Sequence, residues 1–300
     1  MYYVILHKNI RMHKLILRQF KKVLGTAYSP DIYENILEQS SDSTSLQSIT
    51  LLAHKWSNPV AKKSFKKLET ELGIITLLGW VGYTVLDHAI DRQRNILKYI
   101  PLAELCLREL HWRLSRTCLD KSEARTVSGL LELIERAHGQ ECLGRVPVVW
   151  HKSAGHMIAP LILTLRQGHS PRSSEFVSTK RFFVDFLSCK QISDDLRDWE
   201  QDWKAGRNTP VTEHVRKQFK KSILSGKKPS LSLNFVREKF TICTLPFYCK
   251  LILNRGNHAL KSIETSGNHR DPEYFRNLIY RLQKGASNAL EIISKIKKAD

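Results

Sequence analysis

Glycine and proline are scarce in this chain, with 14 Gly and 10 Pro in 300 residues. Long Leu/Ile/Lys/Arg/Glu-rich runs therefore go uninterrupted, and helix is the expected state throughout. No strand-like alternation persists and no repeat of fixed period occurs. Cysteine is limited to six residues, Cys106, Cys118, Cys142, Cys189, Cys243 and Cys249, with no CxxC pair and no His-rich zinc spacing. That excludes a disulfide framework and a zinc constellation and predicts buried thiols in a cytoplasmic protein. Glycine patterns of the Rossmann or P-loop kind are missing too. The opening "MYYVILHKNIRMHK" has too short an apolar run for a signal peptide. The longest apolar run, "LGIITLLGWVGYTVL" over residues 72–86, falls short of the roughly 20 residues of a membrane span. It runs straight into Asp87, so it is read as a core helix.

Acidic residues are also in short supply: 29 Asp+Glu face 48 Lys+Arg, a formal net charge of +19. A pI near 9.7 points to an anionic partner: a phosphorylated substrate, nucleic acid or an acidic membrane surface. Hydrophobic residues make up 42%, enough for a proper core and too many for a disordered basic tail. A basic amphipathic helix is expected over residues 3–24, packed on the body, then a short helix in "SPDIYENILEQ" and a linker in "SSDSTS". The expected division is 1–45, basic helices and linker, and 46–300, the main domain. Further helices are expected at about 46–55, 60–93, 101–117, 121–138, 149–167, 174–205, 231–254, 257–265 and 271–298. The Lys/Arg-rich stretch 206–232 reads either as a mobile flap or as a short helix between loops.

The scarce acids are not spread evenly. "DDLRDWEQD" puts five of them within nine residues, Asp194 to Asp202. Positions four apart lie on one helix face, so Asp194, Asp198 and Asp202 form a ladder with Asp195 beside it. Stacked like charges destabilise a helix unless neutralised, and Arg197, Lys204 and Arg207 are at hand for that. A solvated acidic ridge accounts for the ladder, but less well for the apolar "RFFVDFLSCKQI" before it. A second pair, Asp87 and Asp91 in "YTVLDHAIDRQR", continues the apolar helix, where an unpaired buried charge is expensive. Together the clusters suggest two helices facing each other across a cavity. Carboxylates facing a space rich in Lys/Arg suit Mg²⁺, which binds few protein carboxylates and completes its shell with phosphates.

"QISDDLRD" resembles the second aspartate-rich motif of polyprenyl diphosphate synthases. "DDLRDWEQD" is similar to the (N/D)DxxSxxxE metal motif of terpene synthases, with Asp in place of Ser and Glu. "LRDWEQDWKAGRNTP" resembles the second DxxxD motif of squalene and phytoene synthases, and "DHAID" takes the place of a first DDxxD with His88 for the second Asp. "HKSAGHMIAP" looks like the helix between the motifs in class I isoprenoid biosynthesis enzymes. The resemblance covers about residues 70–210. It implies an all-α class I isoprenoid synthase (terpenoid synthase) fold, a helical bundle around a central cavity.

The resemblance further implies a prenyl diphosphate held through Mg²⁺, ionised to an allylic cation and diphosphate. Asp87, Asp91, Asp194, Asp198 and Asp202 are the expected metal ligands and catalytic carboxylates, with Asp195 in a supporting role and His88 a polar neighbour. Arg94, Lys152, His156, Lys190 and Arg207 are the candidate diphosphate contacts, each weighed against a plain surface role. Trp80, Tyr83, Phe182, Phe183, Phe186 and Trp199 are the candidate cavity lining, where any one ring is more often core. "AKKSFKKLE" lacks the Gly and Arg of a GKxxR-like motif and "DRQRN" is no Arg pair, which argues against chain elongation. The first expectation is therefore a Mg²⁺-dependent terpene synthase, with a prenyltransferase second. A basic helical nucleic-acid-binding protein without catalysis stands third and gives the acid clusters no role. No nucleic acid partner is expected; an acidic membrane surface and a second copy of the chain are the candidate further contacts.

Overall fold

In the computed structural model, residues 14–22, 55–56, 63–90, 96–224, 233–266 and 270–299 are described. Among them there is no strand. After a helical stretch over residues 14–22 come α1 (Lys63–Ile90), α2 (Ile100–Thr117), α3 (Lys121–Cys142), α4 (Ile158–Arg166), α5 (Ser174–Lys204), α6 (Pro210–Leu224), α7 (Leu233–Lys239), α8 (Leu245–Thr265) and α9 (Pro272–Ala299). The residues divide into two compact units. The first takes in those within Met1–Leu133, Ala154–Thr179 and Ser266–Pro272; the second takes in Ile134–Ser153, Lys180–Thr265 and Glu273–Asp300. The boundary expected near residue 45 and the helices expected around it lie outside the described residues.

In the first unit the apolar run of α1 is core, as its composition predicts. Every residue from Leu72 to Leu78 is buried, as are Val81 and Val85. By length and composition Lys66–Ile90 of α1 is apolar enough to cross a membrane, but half of its most apolar stretch is buried within the protein. Helix α2 carries Pro101 in its first turn, where its missing N–H costs nothing, and buries Leu102, Cys106, Leu110 and Leu114 at helical spacing. It packs closely on α1: a Cβ at Gly82 would lie 2.8 Å from the Leu107 side chain. Asp120 caps α3, its Oδ1 accepting from the Ser122 and Glu123 amides at 2.7 and 2.9 Å.

Glu123, at the start of α3, is the polar knot of this unit. Its buried carboxylate accepts from the Leu119 amide at 2.7 Å and from Arg166 Nε and Nη2. Arg166, in the last turn of α4, also donates to the Thr117 carbonyl that ends α2. Three helix ends are thus tied through one ion pair.

The second unit is built on α5. Phe182 and Phe183 are fully buried and meet Phe275 of α9 edge-on at 5.6 and 6.3 Å. Further along, Cys189, Ile192 and Trp199 pack with Val211 and Val215 of α6, Val236 of α7, and Tyr248, Cys249 and Ile252 of α8. Helix α8 runs unbroken through Gly256, where a side chain would strike Gln283 of α9 at 2.7 Å. Glycine there serves close helix packing rather than the break its sequence suggests. Between α7 and α8, Phe240–Thr244 forms a π-helical turn, a feature frequent at functional sites.

Arg166→Ala leaves Glu123 buried without its counter-charge. It is expected to destabilise the fold by about 3–5 kcal/mol in chemical denaturation. Lys295→Ala, which removes one end of the exposed pair with Glu291, is expected to cost under about 0.5 kcal/mol.

Candidate active site

The carboxylates of "DDLRDWEQD" all lie on α5, in the second unit, but they do not share one environment. Side-chain exposure falls from 46% at Asp198 through 27% at Asp194 to 9% at Asp202, and Asp195 is buried. Helix geometry explains the sorting. Asp195 and Asp202 are seven residues apart, so they point within about 20° of each other, toward the apolar side that carries Ile192 and Trp199. Asp194 and Asp198 stand on the solvent margin of the same stripe.

Each acid meets a cation or a donor. Asp194 pairs with Lys190 at 2.5 Å, one turn earlier, and with Arg197 at 3.3 Å. Arg197 also reaches Asp198 at 3.2 Å. Asp202 pairs with Arg207 at 2.9 Å. Asp195 Oδ1 accepts from Gln191 Nε2 at 2.9 Å, whereas its Oδ2 is buried with no hydrogen-bond partner. Burial, only partly offset by Gln191 and Lys152, pushes the Asp195 carboxyl up to about 7. Asp202 is raised by the same cause and held back by Arg207. Lys152, fixed at 2.9 Å on Glu141, lowers both. Tyr248 is pushed up to about 12, mainly by burial and further by the charge of Asp195. By contrast Glu200, off the stripe, is drawn down to about 2 by Arg237 and Lys204.

The following "KAGRNTP" explains how Arg207 comes to face the stripe. Gly206 adopts the left-handed conformation (φ 72°). Its amide donates to the Trp203 carbonyl at 3.1 Å, and that of Arg207 to the Asp202 carbonyl at 2.9 Å. This is a Schellman cap, and it turns the chain back so that the guanidinium meets Asp202. Gly144 (φ 66°) closes α3 in the same way, and Asn208 Nδ2 donates to the Gly144 carbonyl at 2.7 Å. Thr209 then caps α6: its hydroxyl accepts from the Thr212 amide at 3.1 Å, and Thr212 Oγ1 accepts from the Thr209 amide at 2.9 Å. Pro210 follows at the first helical position.

The residues singled out in the sequence fall in both units and outside the described residues. Lys152, Lys190, Asp194, Asp198, Asp202 and Arg207 gather with Asp195 along α5 and its cap. Trp199, beside them, is stacked on Phe240 with centroids 4.1 Å apart and planes 11° from parallel. Phe183 is core against Phe275, and Phe186 stacks on Phe182 at 6.0 Å. Trp80, Tyr83 and Asp87 belong to the first unit, half-buried within about 60° on one face of α1; His88 is half-buried next to Asp87. His156 lies in the short 3-10 helix His151–Met157, also in that unit, with its Nδ1 shielded from solvent. Asp91 and Arg94 lie outside the described residues. To the ladder the structure adds the burial of Asp195 on its inner margin and the neighbouring Tyr248, whose hydroxyl feels the Asp195 charge. The seven-residue spacing of Asp195 and Asp202, and Gln191 one turn before Asp195, signal the first; nothing local signals the second.

Among the described residues no three His, Cys, Asp or Glu side chains are placed to hold a metal ion. The donor chemistry nonetheless fits Mg²⁺, which needs only one or two carboxylates and takes its other oxygens from water and phosphate. Hard carboxylate oxygens at one-turn spacing, with the unpartnered Asp195 Oδ2 behind them, meet that requirement.

Asp195 also generates a stability prediction. A folded-state value near 7, against an ordinary 3.8, means that the folded chain keeps a proton that the unfolded chain gives up. Stability is therefore expected to fall as pH rises from about 4 to about 7. Asp195→Asn should remove the larger part of this fall, leaving the part that the raised Asp202 contributes. With EDTA present, it should exceed the parent at pH 8 by up to about 4 kcal/mol, and the gap should close below pH 4. Urea denaturation across pH checks both.

No family model matches the chain, and no curated protein matches it in sequence. In structure the chain is similar to an octaprenyl pyrophosphate synthase from Helicobacter pylori, with a TM-score of 0.69 at 15% identity. The match covers 90% of this chain and 98% of that one. The chain thus has the all-α, isoprenoid synthase type of helical fold that its motifs suggest.

Proposed function

We propose that the protein is an isoprenoid synthase that ionises a prenyl diphosphate, and that it passes the allylic cation to a second prenyl unit as a prenyltransferase. The observation that carries this reading is the acid stripe of α5, whose like charges persist only among cations. The fold likeness to an octaprenyl pyrophosphate synthase supports a transferase over a terpene synthase. In the reaction the allylic C–O bond breaks, and both electrons leave with the diphosphate. A double bond of the second substrate then attacks the cation, and a proton is lost. Mg²⁺, when bound, supplies positive charge against the leaving diphosphate.

Asp194, Asp198 and Asp202 are the candidates from which one or two carboxylates would hold it, with Asp195 behind them. Lys152, Lys190 and Arg207, each already on a carboxylate, have donors to turn toward diphosphate oxygens. The stacked Trp199–Phe240 pair offers a rigid aromatic surface suited to a carbocation. Asp87, with Trp80 and Tyr83 on its face of α1, is proposed separately as a metal-binding carboxylate of the first unit. A terpene synthase, using one substrate alone, is the second reading. The missing GKxxR-like and Arg-pair patterns around Asp87 and Asp91 favour it.

The test is incubation with Mg²⁺ and geranyl, farnesyl or geranylgeranyl diphosphate, with and without isopentenyl diphosphate. Diphosphate release with a product that combines two prenyl units is expected. Asp194→Asn and Asp87→Asn should each lower turnover by about 10²-fold or more, while Glu200→Gln, an equal charge change off the stripe, should retain it. A product of unchanged carbon number would favour the terpene synthase. No diphosphate release from any substrate would overturn both readings.

A further inference from the structure

The outer face of α2 carries a group of side chains that the proposed reaction does not use. Trp112 is 50% exposed, and Leu119, just past the helix end, is 74% exposed. Arg108 and Arg116 stand one turn before and one turn after Trp112, both exposed. The Arg116 guanidinium lies 4.6 Å from the indole ring and that of Arg113 5.9 Å. Arg113 is itself anchored, on Glu71 at 2.7 Å and Glu109 at 2.8 Å, so the indole is braced from a fixed point. Exposed Lys121 and Arg125 follow at the start of α3. The nearby acids are mostly engaged: Glu109 by Arg113 and Asp120 by its capping bonds. Glu104, one turn before Arg108, is exposed.

Burial does not explain Trp112, because the opposite face of α2 already supplies the core contacts. An exposed indole, a protruding leucine and flanking guanidiniums together match the boundary between lipid headgroups and acyl chains. There an amphipathic ring and an aliphatic tip enter while cations meet phosphate. We propose that Arg108, Trp112, Arg116 and Leu119 form a docking surface for an anionic lipid bilayer. Single-stranded nucleic acid fits less well, since Arg116 already lies over the ring on which a base would stack, and Leu119 would have no role. Pairing with a second copy through this face would set two arginine clusters against each other. The inference stands apart from the proposed reaction and is tested without it.

The experiment is co-sedimentation of the full chain with phosphatidylcholine vesicles, with and without phosphatidylglycerol, at physiological salt. Binding to the anionic vesicles is expected, weakened roughly tenfold by Trp112→Gln combined with Leu119→Gln. Arg108→Gln with Arg116→Gln should weaken it by a similar factor. The charge-matched Lys284→Gln with Lys295→Gln, on the exposed side of α9, should change it little, separating a built surface from the general attraction of a +19 chain. Circular dichroism should be the same for all variants, because the substituted side chains are exposed. Equal vesicle binding by parent and α2 variants would overturn the proposal. So would loss of binding in the Lys284/Lys295 variant alone, or binding of an oligonucleotide but of no vesicle.

Discussion

Four aspartates within two and a half turns of one helix repel one another, and much of the second unit is arranged around that repulsion. Two solutions operate side by side on α5. On the solvent margin, Asp194 and Asp198 share Lys190 and Arg197 in exposed pairs of small energetic worth. On the inner margin, Asp202 has a fixed guanidinium from the helix cap. Asp195 has only an amide and so tends to keep its proton. The first arrangement exchanges partners readily, and the second does not. An arriving cation with its anionic ligand would find the outer carboxylates easy to recruit and the inner ones already in place.

The segment after the ladder shows how much positioning a short sequence can hold. Gly206 reverses the chain, Arg207 returns to Asp202, and Asn208 reaches the end of α3. Thr209 and Pro210 start the next helix. Arg216 of that helix then binds Asn208 and the Arg207 carbonyl and lies over Trp203 at 5.5 Å. Tyr248 donates to the Pro210 carbonyl at 2.8 Å, which ties α8 to the same corner. A change at Gly206 or Asn208 is expected to act on the acid stripe through the placement of Arg207, without touching a carboxylate.

Much of the helical order was legible in the sequence, because helix starts and stops are written in caps. The expected 101–117 and 174–205 match Ile100–Thr117 and Ser174–Lys204. The misses have physical causes. A single helix over 149–167 is in fact a 3-10 turn, His151–Met157, followed by Ile158–Arg166. Helix α3 runs past Gly139 to Cys142, and α8 past Gly256, since a glycine inside a helix breaks nothing unless the chain reverses there, as it does at Gly144 and Gly206. Residues 210–224, read as flap or short helix, form α6, whose threonine cap outweighs its weak periodicity. For the stripe, one-turn spacing showed which carboxylates neighbour one another. The seven-residue spacing of Asp195 and Asp202, on the side of Ile192 and Trp199, marks the inner margin locally, but the partners that α6 and α8 bring to it, Tyr248 among them, have no local pattern.

The account rests on the stripe being a seat for a cation together with an anionic phosphate group, and thermal unfolding tests this most directly. Mg²⁺ with inorganic diphosphate is expected to raise the Tm by a few degrees, through a stabilisation of about 2–3 kcal/mol at about 100 times the Kd. Sodium chloride of equal ionic strength should do far less, and an Asp194→Asn, Asp198→Asn double variant should show little response to either. Equal shifts from the two salts, or an undiminished Mg²⁺–diphosphate shift in the double variant, would contradict it.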